Sequence, residues 1–327
     1  MYEFYLGENK HSMKNSWYEL TPDEFIAASD LLTQYRKGEM NLFDLRARMV
    51  LITTGINISR MRNKGYLNEN VYRLSRELDF FFRIEYDDKK AFSAFSSELR
   101  KQLVSKFPED LPESPEIRVA IKLKKTIKLN VEFGKNIILD IYRGRQRFPG
   151  YTFVIMDGIA QTSLTAMQFS EAQKIVAQYG QNESTQLLSL LCGILYQVGY
   201  TEEIALDLAK QFSSVQHTVK EAVLLNFLAI TNFIVHQTRY SILFDRPKKS
   251  KKENKYSLGL ADNMYMLSKR GYGDSKQMEN AGLFKFFDLL IKELADQAAE
   301  LEAAGKKKGE IAELMNLTIE QVNDLIS

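Results

Sequence analysis

His11, His217 and His236 are the only imidazoles in the chain, and none has a second histidine or a cysteine at metal-ligand spacing, so a zinc-type ligand set is missing. The single cysteine, Cys192, lies in the apolar run LLSLLCGILY. That excludes an internal disulfide and reads as a buried structural thiol in a reducing compartment. There is no GxxxxGK[ST] loop, strand-linked GxGxxG, GxSxG elbow or HExxH helix, which removes the main support for nucleotide, hydrolase and zincin chemistry. Asp87-Asp88 and Glu202-Glu203 are neighbouring carboxylates at expected helix borders, where they complement the helix dipole or stay solvated. On these grounds no catalytic, cofactor-binding or metal-ligating residue is assigned, and no cofactor is expected.

Positive charge is the remaining chemistry. Arg143, Arg145 and Arg147 alternate beside Tyr142, Phe148 and Tyr151, a mixture able to hold phosphates and stack bases. The same pattern suits a solvated turn whose charge keeps strand edges apart. Lys248, Lys249, Lys251 and Lys252 fall in RPKKSKKENK, a stretch expected to be a surface loop within reach of nucleic acid or an acidic partner. The whole chain balances 44 basic against 42 acidic residues for a formal charge of +2, so such binding must come from these local patches.

The elements that position these residues can be read from periodicity. With 327 residues, 45% of them apolar, the chain can bury more than one ordinary core. A hairpin is expected around Gly7-Glu8-Asn9. Thr21-Pro22-Asp23-Glu24 then carries a cap, a first-turn proline and two acids, the signature of a helix start. Further helices are expected over 41–54, 68–84 and from Asp87-Asp88 to Lys106. PEDLPESP, with three prolines in eight residues, interrupts regular structure. The alternation of Ile117, Val119, Ile121 and Leu123, then Ile127, Leu129, Val131 and Phe133, predicts two antiparallel strands. Ile137 to Tyr142 and Tyr151 to Met156 predict two more around RGRQRFPG. Helical spacing returns from Leu164. The apolar stretch from Ala222 to Val235 is interrupted by Asn226, Thr231 and Asn232 and reads as a core helix rather than a membrane span. The first residues lack the basic region and apolar stretch of a secretion signal.

Compared with itself, the sequence matches without a gap at an offset of 144 residues, from Leu20 to Leu164. LTPDEFIAASDLLTQY then pairs with LTAMQFSEAQKIVAQY. Thr21 falls on Thr165, Phe25 on Phe169, Ala28 on Ala172 and Tyr35 on Tyr179, and the register reaches Gly55 and Gly199. An offset of this size implies two related modules and not a solenoid. The expected fold is α+β and predominantly helical: two related helical modules, each preceded by short antiparallel strands, plus a C-terminal helical hairpin. The expected segments are 1–107, 108–157, 158–245, a basic loop 246–256, and a C-terminal helical region 257–327.

The C-terminal GKKKGEIAELMNLTIEQVNDLIS resembles the helix-turn-helix of sigma-factor-like and repressor domains. Its second helix, however, offers Glu320, Gln321, Asn323 and Asp324 where a DNA reader needs polar or basic groups at its front. Packing or protein contact is the preferred role. SWYELTPDEF near the start and NMYMLSKRGYGDSKQMENAGLFKFFDLLIKEL late in the chain are similar to proteins from the structural gene clusters of tailed phages and prophages. That resemblance implies a virion component or assembly factor near the tail or portal, in the virion or host cytoplasm. Its partners would be other phage structural proteins and further copies of itself, with no membrane. A nucleic-acid-binding regulator using the C-terminal hairpin and the lysine stretch is the alternative.

Overall fold

The computed structural model describes residues 1–6, 8–56, 64–244 and 260–326. The fold is α+β and predominantly helical, and the chain divides into two compact units, Met1–Phe133 and Gly134–Ser327. The expected 108–157 segment is thus shared between them.

In the first unit, β1 (Tyr2–Leu6) and β2 (Asn9–Met13) form the expected antiparallel pair, with Phe4 stacked on His11. α1 (Pro22–Arg36) starts where the cap sequence requires. The Thr21 hydroxyl accepts the Glu24 N–H at 3.3 Å, and the Glu24 carboxylate accepts the Thr21 N–H at 2.8 Å. α2 (Leu42–Thr54) is capped by Asn41 and stopped by Gly55, whose φ of 65° suits glycine. There follow α3 (Lys64–Ser75), β3 (Phe82–Tyr86), α4 (Lys89–Ser93), α5 (Ser97–Ser105), α6 (Pro115–Lys122) and β4 (Lys125–Leu129). Trp17 anchors the core. Its ring meets Phe25, Phe80 and Phe133 at 4.9–5.8 Å, and its N–H donates to the Asn130 carbonyl at 3.0 Å. Arg46 of α2 donates to the Ser75 carbonyl and to Asp110, which also accepts from Arg76. One nearly buried carboxylate therefore ties α2, the residues just after α3 and the 108–110 turn together.

Three expectations need correction here. The stretch from Ile117 to Phe133 is not two strands: Ser114 caps and Pro115 begins α6, which buries Ile117 and Ala120 and leaves Val119 and Ile121 exposed. A cap followed by a first-turn proline outweighs a short alternation. Only 125–129 is a strand, and it pairs with β3, Ile84 facing Ile127. The helix expected over 68–84 ends at Ser75, and Phe82 and Ile84 lie in β3, whose burial alternates residue by residue. The helix expected from 87 to 106 is two short ones, each restarted by its own cap, Asp88 and Ser96.

In the second unit, β5 (Asp140–Arg143) pairs with β6 (Gln146–Pro149) and β7 (Phe153–Met156) with β8 (Ile159–Thr162), each antiparallel. The helices are α7 (Ala166–Gln181), α8 (Thr185–Leu195), α9 (Glu202–Phe212), α10 (His217–Gln237), α11 (Leu260–Lys269), α12 (Ser275–Glu279), α13 (Leu283–Ala303), α14 (Lys308–Met315) and α15 (Ile319–Ile326). α10 is long and apolar enough to cross a membrane, yet it buries Phe227, Ile230 and Ile234 and also Lys220, Glu221 and Asn226 inside the unit, as a core helix does. Phe169, Phe227, Phe287, Phe284 and Tyr240 form the aromatic centre.

The repeated sequence produces repeated structure. Thr165 makes the same reciprocal cap with Gln168 that Thr21 makes with Glu24. Leu20, Phe25 and Ala28 are buried, as are Leu164, Phe169 and Ala172. Gly55 and Gly199 both adopt positive φ, 65° and 69°. Further along the copies diverge: the strand β3 (Phe82–Tyr86) falls, at the same offset, on residues inside the helix α10.

α8 and α9 cross closely at Gly193, where an added Cβ would overlap the Ala205 carbonyl oxygen, a main-chain atom that cannot rotate away. Gly193→Ala is expected to destabilise the protein by roughly 1–3 kcal/mol through overpacking, read as a lowered urea midpoint. Gly180→Ala on α7, with nothing near its Cβ position, should not.

Candidate interaction surface

Two hairpins in the second unit present side chains that the core does not use. In the first, Ile141 and Phe148 face each other and are buried, which by strand alternation turns Tyr142 and Arg147 outward. Gly144, with φ of 59°, and Arg145 make the two-residue turn. Arg147 donates to Asp140 at 2.8 Å. Arg143 and Arg145 stand exposed at the tip and make no ion pair with a described residue. The structure thus brings the three predicted arginines onto one hairpin. Lys248, Lys249, Lys251 and Lys252 lie outside the described residues.

The second hairpin reverses the usual chemistry of an outer strand face. Asp157 and Gly158, with φ of 51° and 77°, form the turn. Phe153 is buried and packs on Phe233 and Phe284, while Ile155 on the same face lies beside Gly134 and is still 38% exposed. The opposite face holds Val154, Met156 and Ile159, 40%, 55% and 65% exposed, with Gln161 beside them. Antiparallel pairs with one wet face ordinarily carry polar residues there. Apart from Asp157 in its turn, the hairpin has no charge, and it has no proline, the two devices that usually protect an edge. The sequence marks this feature with Asp-Gly between apolar runs. Sequence reading recovered the first strand and missed the turn and its partner.

Both hairpins spring from one buried segment. The Asn226 side chain of α10 accepts the N–H of Ile137 at 2.8 Å and of Ile138 at 3.4 Å, and donates to the Lys135 carbonyl at 2.9 Å. Asn136 donates from its main chain to the Phe153 carbonyl and from its side chain to that of Tyr151. The Tyr196 hydroxyl donates to the Ile138 carbonyl at 2.7 Å, and Gly150 leaves room for the Tyr196 ring.

Between the first half of α8 and the second half of α9 runs an open groove of about 1120 Å³ lined by Leu190, Leu206 and Ala209, with Ser189 in its wall and Glu183 and Lys210 at its edge. Beneath Ser189 lies the buried Lys220 ammonium, whose contacts are the Ser189 hydroxyl at 3.2 Å and the Phe212 carbonyl at 3.3 Å; neither is a carboxylate. Burial holds its pKa below the ordinary lysine value. Cys192 is buried as expected, and burial pushes its thiol up to about 12, which keeps it protonated and unreactive. Ser189 donates to the Thr185 carbonyl one helical turn back at 3.1 Å. Among the described residues no group of three or more His, Cys, Asp and Glu is placed to hold a metal ion.

The C-terminal pair packs on α13 around Ala298, Ile311, Ala312, Leu317 and Val322. Gln321 caps α15 with Thr318, and Asn323 accepts from Lys308 at 2.8 Å. Gln321 and Asn323, at the front of the second helix, are thus engaged inside the hairpin. No family model, curated protein or solved structure matches the chain.

Asn226→Leu would leave two buried N–H groups and one carbonyl without partners, and is expected to cost about 3 kcal/mol in urea unfolding. Lys220→Met tests the buried charge. A lysine whose folded pKa lies below its unfolded value of ~10.4 destabilises fully at low pH, and stability recovers as pH rises through the interval between the two values. Urea midpoints measured across that alkaline interval should rise less steeply for Lys220→Met than for the parent protein.

Proposed function

We propose that this protein is a non-enzymatic component or assembly factor of a tailed-phage particle, working near the tail or portal through protein contacts. The observation that carries the reading is the outward apolar face of the β7–β8 hairpin, formed by Val154, Met156 and Ile159. Exposed apolar groups gathered at one place favour contact with another protein surface. The Asn226 clamp supports the same reading, because it fixes the hairpin root before any partner arrives, which limits the ordering cost of binding. The link to phage particles rests on the sequence resemblance at the two ends of the chain. In particles purified from a producing host, mass spectrometry should find the protein at fixed stoichiometry, and Met156→Asp/Ile159→Asp should abolish its incorporation without lowering its melting temperature. Incorporation of that variant at the parental level would overturn the reading.

A second reading, nucleic-acid binding, is favoured by Arg143 and Arg145 at the tip of β5–β6 beside the exposed Tyr142. It requires retention on DNA or RNA that weakens steeply with salt and is lost in Arg143→Glu/Arg145→Glu. Failure to bind at low salt removes it.

A further inference from the structure

The β5–β6 hairpin overhangs the unit that carries it. By strand alternation Arg143 and Gln146 lie on the same face as Ile141 and Phe148, yet the first two are exposed and the last two buried. The cover on that face therefore ends just beyond Ile141, and every residue from Tyr142 to Arg147 stands in the open. Gly144 takes the positive φ of the turn, which leaves Arg145 beside it at the apex. From Ile141 to Met156 the charged side chains are Arg143, Arg145 and Arg147, with no acid among them. Arg147 is held by Asp140 at 2.8 Å, so its charge is already met. Arg143 and Arg145 meet no carboxylate among the described residues, and they are the cations that the tip offers to a partner.

Tyr142 selects the kind of polyanion. Its ring is 62% exposed and lies directly across the strands from Arg147, on the outer face. An anionic bilayer is held by a face carrying several apolar groups, and Tyr142 is the only large one from 142 to 147. A duplex would engage the arginines and leave the ring idle, because the faces of paired bases are stacked on their neighbours. A single strand engages both, since its phosphates meet the guanidinium groups while an unstacked base lies on the ring.

We infer that the β5–β6 tip binds single-stranded nucleic acid, with one unpaired base stacked on Tyr142 and neighbouring phosphates held by Arg143 and Arg145. The contact tolerates any sequence, because every base offers a face to stack. The inference rests on the nucleic-acid reading of this hairpin, and adds that the strand is single and that a base takes part in the contact.

The test uses the full chain in fluorescence anisotropy at low salt with three labelled probes. They are a short oligothymidylate, its duplex with the complementary strand, and a strand of the same length and charge built from abasic residues. The parent protein should bind oligothymidylate about tenfold tighter than the abasic strand. Tyr142→Ala should erase that difference and leave binding to the duplex unchanged, whereas Tyr142→Trp should preserve it. Arg145→Gln should flatten the dependence of log K on log salt for oligothymidylate by about 0.7. All three changes fall at exposed positions, and unchanged melting temperatures certify that the variants fold.

The inference is overturned if the parent protein binds the abasic strand as tightly as oligothymidylate, or if Tyr142→Ala binds oligothymidylate like the parent. If Arg143→Glu/Arg145→Glu still abolishes binding in either case, charge alone holds the strand: the nucleic-acid reading stands and the stacked base falls. Retention on phosphatidylglycerol vesicles without retention on oligothymidylate assigns the tip to a membrane surface instead. Absence of binding to every probe at low salt removes the inference together with the reading beneath it.

Discussion

Asn226 is the residue on which the working end of the second unit depends. A carboxamide can accept and donate at once, and here it satisfies two amides and a carbonyl of a segment that belongs to no helix or strand. Irregular backbone inside a core survives only when its polar groups find partners. By meeting that requirement from the middle of α10, Asn226 allows residues 135–138 to run through the interior and launch β5 on one side and brace β7 on the other. The hairpins are short and two-stranded, and an isolated pair of that kind is marginal in water. Their order is borrowed from the helix beneath them.

The two capped helices that match in sequence also share their local structure. Threonine, a side-chain acceptor three residues later, a buried phenylalanine and a left-handed glycine persist in both. These features fix where a helix starts, how deep it sits and where the chain can turn. Where the first unit has the strand β3, the second runs the long helix α10, and the two hairpins of the second unit root on that helix.

The helix caps at Thr21 and Thr165 were legible because they are local: each side chain bonds to an amide three residues away. Ser114-Pro115 was equally local, and was missed because Ile117, Val119 and Ile121 suggested a two-residue period. Phe82 and Ile84 were read as helical because their strand partners, Leu129 and Ile127, lie more than forty residues on. The predicted arginines share one hairpin, yet the more unusual face, Val154 with Met156 and Ile159, escaped notice. Apolar residues on a strand look like core until the buried side is known. Nothing in the sequence distinguishes Lys220 from a surface lysine, since its burial follows from how α8, α9 and α10 meet. The phenylalanines of the aromatic centres pack on one another inside the units.

α13 belongs to two packed regions at once. Its first turns hold Leu283, Phe286 and Phe287 in the aromatic centre, its far end carries Ala298 into the small core of the terminal hairpin, and Arg270 grips Glu293 between them at 3.1 Å. Mechanically it is a cantilever, clamped at the base and braced part-way along its 21 residues. The small core at its far end also takes in Ile242, two residues from Tyr240, so the terminal pair is joined to the aromatic centre by a second and shorter route.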